Sequence, residues 1–184
     1  YFDLDNFNRD YSDEVNKLKI KAPYLSFNDS KFRIVRDLIL KKEDYQHIMK
    51  LLFNHYEFDY RKILKKLFIS KDQLLEIHQK KNIIGLHSHS HPTQMGNLSY
   101  NQQYDEYKKT RDVFTGFFGK TNIYSMSHPN GNYNNDTLTV LKKLNISIGF
   151  RANMKMDGGM TKINNSNLEI ARENHSNIMN YMSK

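Results

Sequence analysis

The 184-residue chain carries 28 Lys and Arg against 20 Asp and Glu, a formal net charge of +8, and contains no cysteine. That length suits about one domain with a real core and is short for a complete barrel. The missing thiols exclude disulfides and thiolate metal sites, so any metal must rest on His, Asp and Glu. No apolar run approaches the roughly 18 residues of a membrane span, and no positively charged leader with a small-residue cleavage site is visible. The positive surplus favours anionic partners in general, but it is diffuse. Lys41-Lys42, Lys65-Lys66 and Lys142-Lys143 each lie within an apolar periodic segment and read as solvated helix faces. No nucleic-acid-binding pattern stands out.

The chain starts at Tyr1 without a methionine, directly in strand-like sequence. An N-terminally trimmed chain is therefore expected, and a leader removed before Tyr1 is compatible with it. Residues 1–6, YFDLDN, put Asp3 and Asp5 on the same face of a strand, where two carboxylates repel unless a cation or a shared proton intervenes. Residues 10–18 predict a short helix and residues 20–27, IKAPYLSF, a second strand, giving β-α-β. Residues 31–68 are charged and periodic: Ile48, Leu51 and Leu52, then Ile63, Leu64 and Leu67, predict two or three helices. His47 and His55 within them read as surface residues. Ser70 and Gln73 form a capping box that opens a helix through Leu74, Leu75 and Ile77 to Gln79.

Residues 83–92 read IIGLHSHSHP. The short apolar run predicts a buried strand, and it ends in histidines at every second position. Imidazole is the commonest zinc ligand, so this strand end is a candidate metal centre. If the chain bends helically after Leu86, His87 and His91 share a face; if it stays extended, His89 joins them. Ser99 and Gln102 make a second capping box, and Tyr100, Tyr104, Tyr107, Phe114 and Phe118 mark one helical face, read as core, that stops at Gly119. Residues 122–126 predict a strand, 127–133 (SHPNGNY) its turn, 137–144 a helix, 146–150 another strand, and 167–171 a last one. This alternation argues for α/β layering on a mostly parallel sheet, with the site at the strand C-terminal ends.

The run Gly85, His87, Ser88, His91, Pro92 resembles the polysaccharide deacetylases of the NodB-homology type, carbohydrate esterase family four. Their motif is His, Ser or Thr, two free positions and His, usually after Ile-Gly and before Pro. Pro129 and Gly131, followed by Asn132, Tyr133 and Asn134, resemble the family's Arg-x-Pro-aromatic-Gly motif, with Ser127 where Arg is usual and Asn130 where an aromatic is usual. Phe2-Asp3 matches the start of the family's Phe-Asp-Asp motif. Leu4 stands in place of the second Asp, and Asp5 follows one residue late. Residues 25–29, LSFND, are a rival for that motif that would turn attention to Asp29.

The resemblance implies a distorted, incomplete (β/α) barrel of the α/β class, one domain over 1–184 with a helical insertion at about 31–69. It implies a metal-dependent hydrolase that removes acetyl groups from a carbohydrate, with a divalent metal, zinc before cobalt or nickel. Asp5, His87 and His91 would be the metal ligands and Asp3 the general base. His128 would supply a polar or cationic group in the Arg's absence, and His175, after a late strand, would be the acid. Pro129, Asn130, Gly131 and Tyr133 would line the substrate groove, backbone N–H groups of 129–131 completing an oxyanion pocket. The implied partner is an acetylated carbohydrate, with no nucleic acid, and the implied setting a cytoplasmic, bacterial-type enzyme of surface-glycan assembly. The oligomeric state stays open. Three departures, Leu4 for the second Asp, Ser127 for the Arg and the lack of a matching acid-histidine signature around His175, favour a rival, a catalytically silent deacetylase fold that binds glycan or a partner.

Overall fold

A computed structural model of the chain describes residues 4–119, 123–154, 163–173 and 175–182. It is a mostly helical α/β arrangement that divides into two compact units, Tyr1–Phe68 and Ile69–Lys184.

All the regular secondary structure among the first unit's described residues is helical. α1 spans Leu4–Lys21, so residues 4–6 are helix and not the expected strand. Phe7, Tyr11, Val15 and Leu18 explain this: they recur at three- and four-residue spacing, and that periodicity outweighs two residues of alternation before it. Phe7 and Val15 are buried with Ile34 from the next helix. Residues 20–27 are not a strand either. Ala22 N–H still bonds Leu18 O, a turn containing Pro23 follows, and α2 (Phe27–Ile34) begins behind Ser26. Asp29 accepts from Ser26 N–H and Ser26 Oγ while Ser26 Oγ accepts from Asp29 N–H, a capping box that uses up the rival acid. A π-helical turn, Val35–Ile39, leads to α3 (Lys42–His55) and α4 (Tyr60–Leu67), in line with the two or three helices expected there. His47 and His55 are exposed.

The second unit carries the sheet. α5 (Lys71–Gln79) and α6 (Tyr100–Phe118) start at the two predicted capping boxes, Ser70/Gln73 and Ser99/Gln102. β1 (Ser125–Ser127) pairs in parallel with β2 (Ile148–Phe150) in the register Met126 to Gly149, with α7 (Asn135–Lys143) as the crossover. Leu86 joins β1 by a parallel bridge to Met126, and Ile170 joins β2 by a parallel bridge to Phe150. The expected strands at 83–86 and 167–171 thus shrink to one bridge each. Ile83 is 66% exposed while Leu86 is 1% exposed, so the apolar run enters the core only at its end. Leu86, Met95, Tyr107, Met126, Val140, Leu141 and Leu144 form that core, and α6 and α7 pack together over it. Tyr107 and its partly buried neighbours Tyr100, Tyr104 and Phe114 do belong to the core. α8 (His175–Met182) closes the described chain.

Candidate functional site

Leu86 fixes where the histidines begin. Its N–H donates to Ser125 O and its carbonyl accepts from Ser127 N–H, so the chain leaves the sheet beside the end of β1. It turns at once. Ser88 and His91 have φ of 67° and 53°, a left-handed region that residues with a Cβ seldom occupy. Two sets of hydrogen bonds hold them there. Ser88 Oγ accepts from His91 N–H at 3.1 Å. Glu106 on α6 accepts from His89 N–H at 3.0 Å, Ser90 N–H at 2.8 Å and Ser90 Oγ at 2.8 Å. Partial burial pushes the Glu106 carboxyl up, but the bonds from Ser90 and His89 outweigh it and hold the group below its ordinary value.

The turned geometry brings together the rings of His87 and His91, with centroids 4.9 Å apart. His89 is held through its backbone. His87 Nδ1 lies 2.8 Å from Ser127 O and 2.9 Å from Ser127 Oγ. A carbonyl only accepts, so this contact puts the proton on Nδ1 and leaves the Nε2 lone pair available. That is how a metal-binding imidazole is usually prepared.

The SHPNGNY turn follows β1 directly. His128 is 1% exposed; its Nε2–H donates to Leu168 O at 2.8 Å, and its ring stacks on Tyr133 with centroids 4.2 Å apart. Its Nδ1 is buried with no partner among the described residues. Burial lowers the His128 pKa, against the raising effects of the Leu168 bond and nearby Glu169, so the ring is neutral near pH 7. Of the polar or cationic group expected from sequence, what it offers is the polar one, hydrogen bonding together with a stacking surface. Tyr133 Oη donates to Glu169 Oε1, which fixes the stacked ring.

Pro129 is buried, Asn130 is exposed with φ of 53°, and Gly131 has φ of 68°. A Cβ on Gly131 would fall 2.7 Å from Ala152 Cβ, so glycine is required there. Pro129 has no N–H and Gly131 N–H donates to His128 O, which leaves Asn130 as the candidate donor for an oxyanion pocket. Asn132 Oδ1 accepts from Gly96 N–H and Asn134 Nδ2 donates to Gly96 O, lashing this turn to the loop after the histidines.

The remaining expected residues fall elsewhere. Asp3 lies outside the described residues, and Asp5 lies in the first turn of α1, not at a strand end. His175 opens α8 and does not terminate a strand, because pairing ends at Ile170. Among the described residues, no group of three His, Asp or Glu side chains is gathered as a metal cluster, and of the expected ligands only His87 and His91 are brought together.

Sequence reasoning missed Glu106 and the orienting role of Ser127. Glu106 sits in the middle of α6, sixteen residues from Ser90, with no local motif to mark it. The one available signal is its place beside Tyr107, at the edge of the predicted buried face.

The polysaccharide deacetylase family model matches residues 16–149. Those residues include His87, His91 and the Pro129–Tyr133 turn, whereas Asp3, Asp5 and His175 lie outside them. Among solved structures, the chain is similar to the Streptococcus pyogenes deacetylase PplD in complex with acetate, at 25% identity and a TM-score of 0.49, over 57% of this chain and 44% of that one. The chain therefore spans less than half of that protein's length. Among curated proteins, none matches.

Proposed function

The chain belongs to the polysaccharide deacetylase family, and from that membership we propose that it is a metal-dependent hydrolase that removes acetyl groups from a carbohydrate. The observation that carries the reading is the His87–His91 pair, with His87 Nδ1 held by Ser127 so that Nε2 is free to ligate. The donor set fits a divalent metal of borderline softness, zinc before cobalt or nickel. When bound, such an ion supplies Lewis-acid polarisation and a water of lowered pKa.

His87 and His91 would hold the ion, and Asp5 would be the carboxylate ligand by the family resemblance. Asp3 would take the proton of the attacking water on a carboxylate oxygen. Asn130 N–H, with the 129–133 turn around it, would face the acetyl oxygen. His128 would keep Tyr133 and the turn in place from inside, while His175 is kept as the candidate acid only by the resemblance. The complete sheet would be the distorted, incomplete (β/α) barrel of this family.

A second reading, a silent glycan-binding member, draws on two observations. Residues 4 and 5 are helical where the family has a strand end, and Ser127 spends both its carbonyl and its hydroxyl on His87 where the family has a free Arg.

The deciding experiment combines metal content with acetate release from N- and O-acetylated oligosaccharides. His87→Ala and His91→Ala should each lose the metal and the activity, and His89→Ala should keep the metal. Equal loss from all three changes would reject the pairing; no stoichiometric metal and no acetate from the unaltered chain would leave the silent reading in place.

A further inference from the structure

α4, YRKILKKL, divides completely by polarity. Tyr60, Ile63, Leu64 and Leu67 recur at three- and four-residue spacing along one face, and every other position is a cation: Arg61, Lys62, Lys65 and Lys66. The helix contains no acid; the nearest, Asp59, is spent as its N-cap on Lys62 N–H. α7 shows what the same spacing does in this protein when a core is present. Its Val140 and Leu141 are fully buried, whereas no residue of α4 is buried, and Leu67 and the following Phe68 are 72% and 67% exposed.

We propose that α4 with Phe68 is a docking surface for an anionic phospholipid bilayer, lying in the headgroup plane. The charge complementarity selects that occupant. Tyr60 stacks on Phe53 at the start of the stripe, but its far end, Leu67 and Phe68, is largely exposed, and four cations beside it match anionic headgroups above acyl chains, the combination that defines interfacial helices. A purely apolar protein groove would leave those cations without counter-charges, and a nucleic acid would leave Leu67 and Phe68 in water. No helix among the described residues is long and apolar enough to cross a membrane, so the contact is one of lying on the surface. The inference is independent of the deacetylase reading, since it concerns none of the residues assigned to that chemistry.

The chain contains no tryptophan, so Leu67→Trp places a single tryptophan, excited selectively beyond the tyrosine absorption, on the stripe. With the full chain, emission should shift to the blue and the protein should sediment with vesicles of phosphatidylcholine containing one part in three phosphatidylglycerol. It should do neither with phosphatidylcholine alone. Lys62→Glu, Lys65→Glu and Lys66→Glu should each lower partitioning by about fivefold or more, and high salt should release the protein. Leu67→Asp should abolish binding with helix content unchanged by circular dichroism. Four results would overturn the proposal: no shift with anionic vesicles, an equal shift with neutral ones, emission already blue-shifted in buffer, or a lipid-free dimer that Leu67→Asp dissolves. Retention on RNA that is indifferent to Leu67→Asp, without vesicle binding, would replace the bilayer by a nucleic acid.

Discussion

Replacing Glu106 by glutamine removes one negative charge from under the histidine turn while nearly conserving volume. Three donors converge on the carboxylate: His89 N–H, Ser90 N–H and Ser90 Oγ. A hydrogen bond to a charged acceptor exceeds a neutral one by about 1 kcal/mol, but here three bonds share a single charge on a side chain that is only partly buried. The expected loss is therefore about 1–2 kcal/mol, or roughly 2–8 °C in Tm for a chain of this size. The sign of its pH dependence follows from the lowered carboxyl pKa. The stabilisation is fully present above the ordinary carboxylate value of about 4.3 and is lost as pH falls through the lower folded value. Urea unfolding of the two proteins should thus show a constant gap from pH 6 to 8 that closes below about pH 4. Imidazole NMR signals of His91 should broaden in the variant, and metal affinity should fall by about 10–100-fold, as for other groups that orient ligands. Identical unfolding midpoints at pH 7, or a gap that persists unchanged at pH 3, would refute the claim that this charge holds the turn.

His128→Leu should cost about 1–3 kcal/mol, since it leaves Leu168 O without its buried donor, measured as a urea midpoint at pH 7.5. Because burial depresses the His128 pKa, the unfolded chain binds the extra proton, so the parent protein should lose stability as pH falls below about 6.5. The variant should lose that slope, and an unchanged slope would assign it elsewhere. Gly149→Ala should destabilise by about 2 kcal/mol or more, because a Cβ there would sit 2.5 Å from the Leu168 backbone oxygen; a thermal melt equal to the parent's would contradict this.

The parts legible in the sequence were those whose cause is local. Ser70/Gln73 and Ser99/Gln102 each satisfy their own helix N-terminus within four residues, so both helix starts stand where the motif puts them. The Asn134/Thr137 box that starts α7 works the same way but lacks the usual Glu or Gln, and it passed unnoticed. Residues 4–6 read as strand because an aromatic-acid alternation over a few residues looks extended, while the evidence for helix, from Phe7 to Leu18, lies beyond it. At the histidines, spacing left two geometries open. The bend was decided by Glu106 and Ser127, partners sixteen and forty residues away, which no window on the chain can report.

Leu86, β1, β2 and Ile170 stand side by side in the order in which they occur along the chain, every junction parallel. Parallel neighbours need a crossover between them, so Leu86 has no partner until β1, some forty residues later, has left the ribosome. The histidine turn is synthesised some forty residues ahead of Ser127, the group that decides which nitrogen of His87 carries the proton. A nascent chain that has passed Pro92 but not Ser127 thus displays the two imidazoles without the carbonyl that orients one of them. Under the proposed metal reading, ion capture with the correct ring nitrogen would become a late event in biosynthesis, after α6 and β1 have emerged.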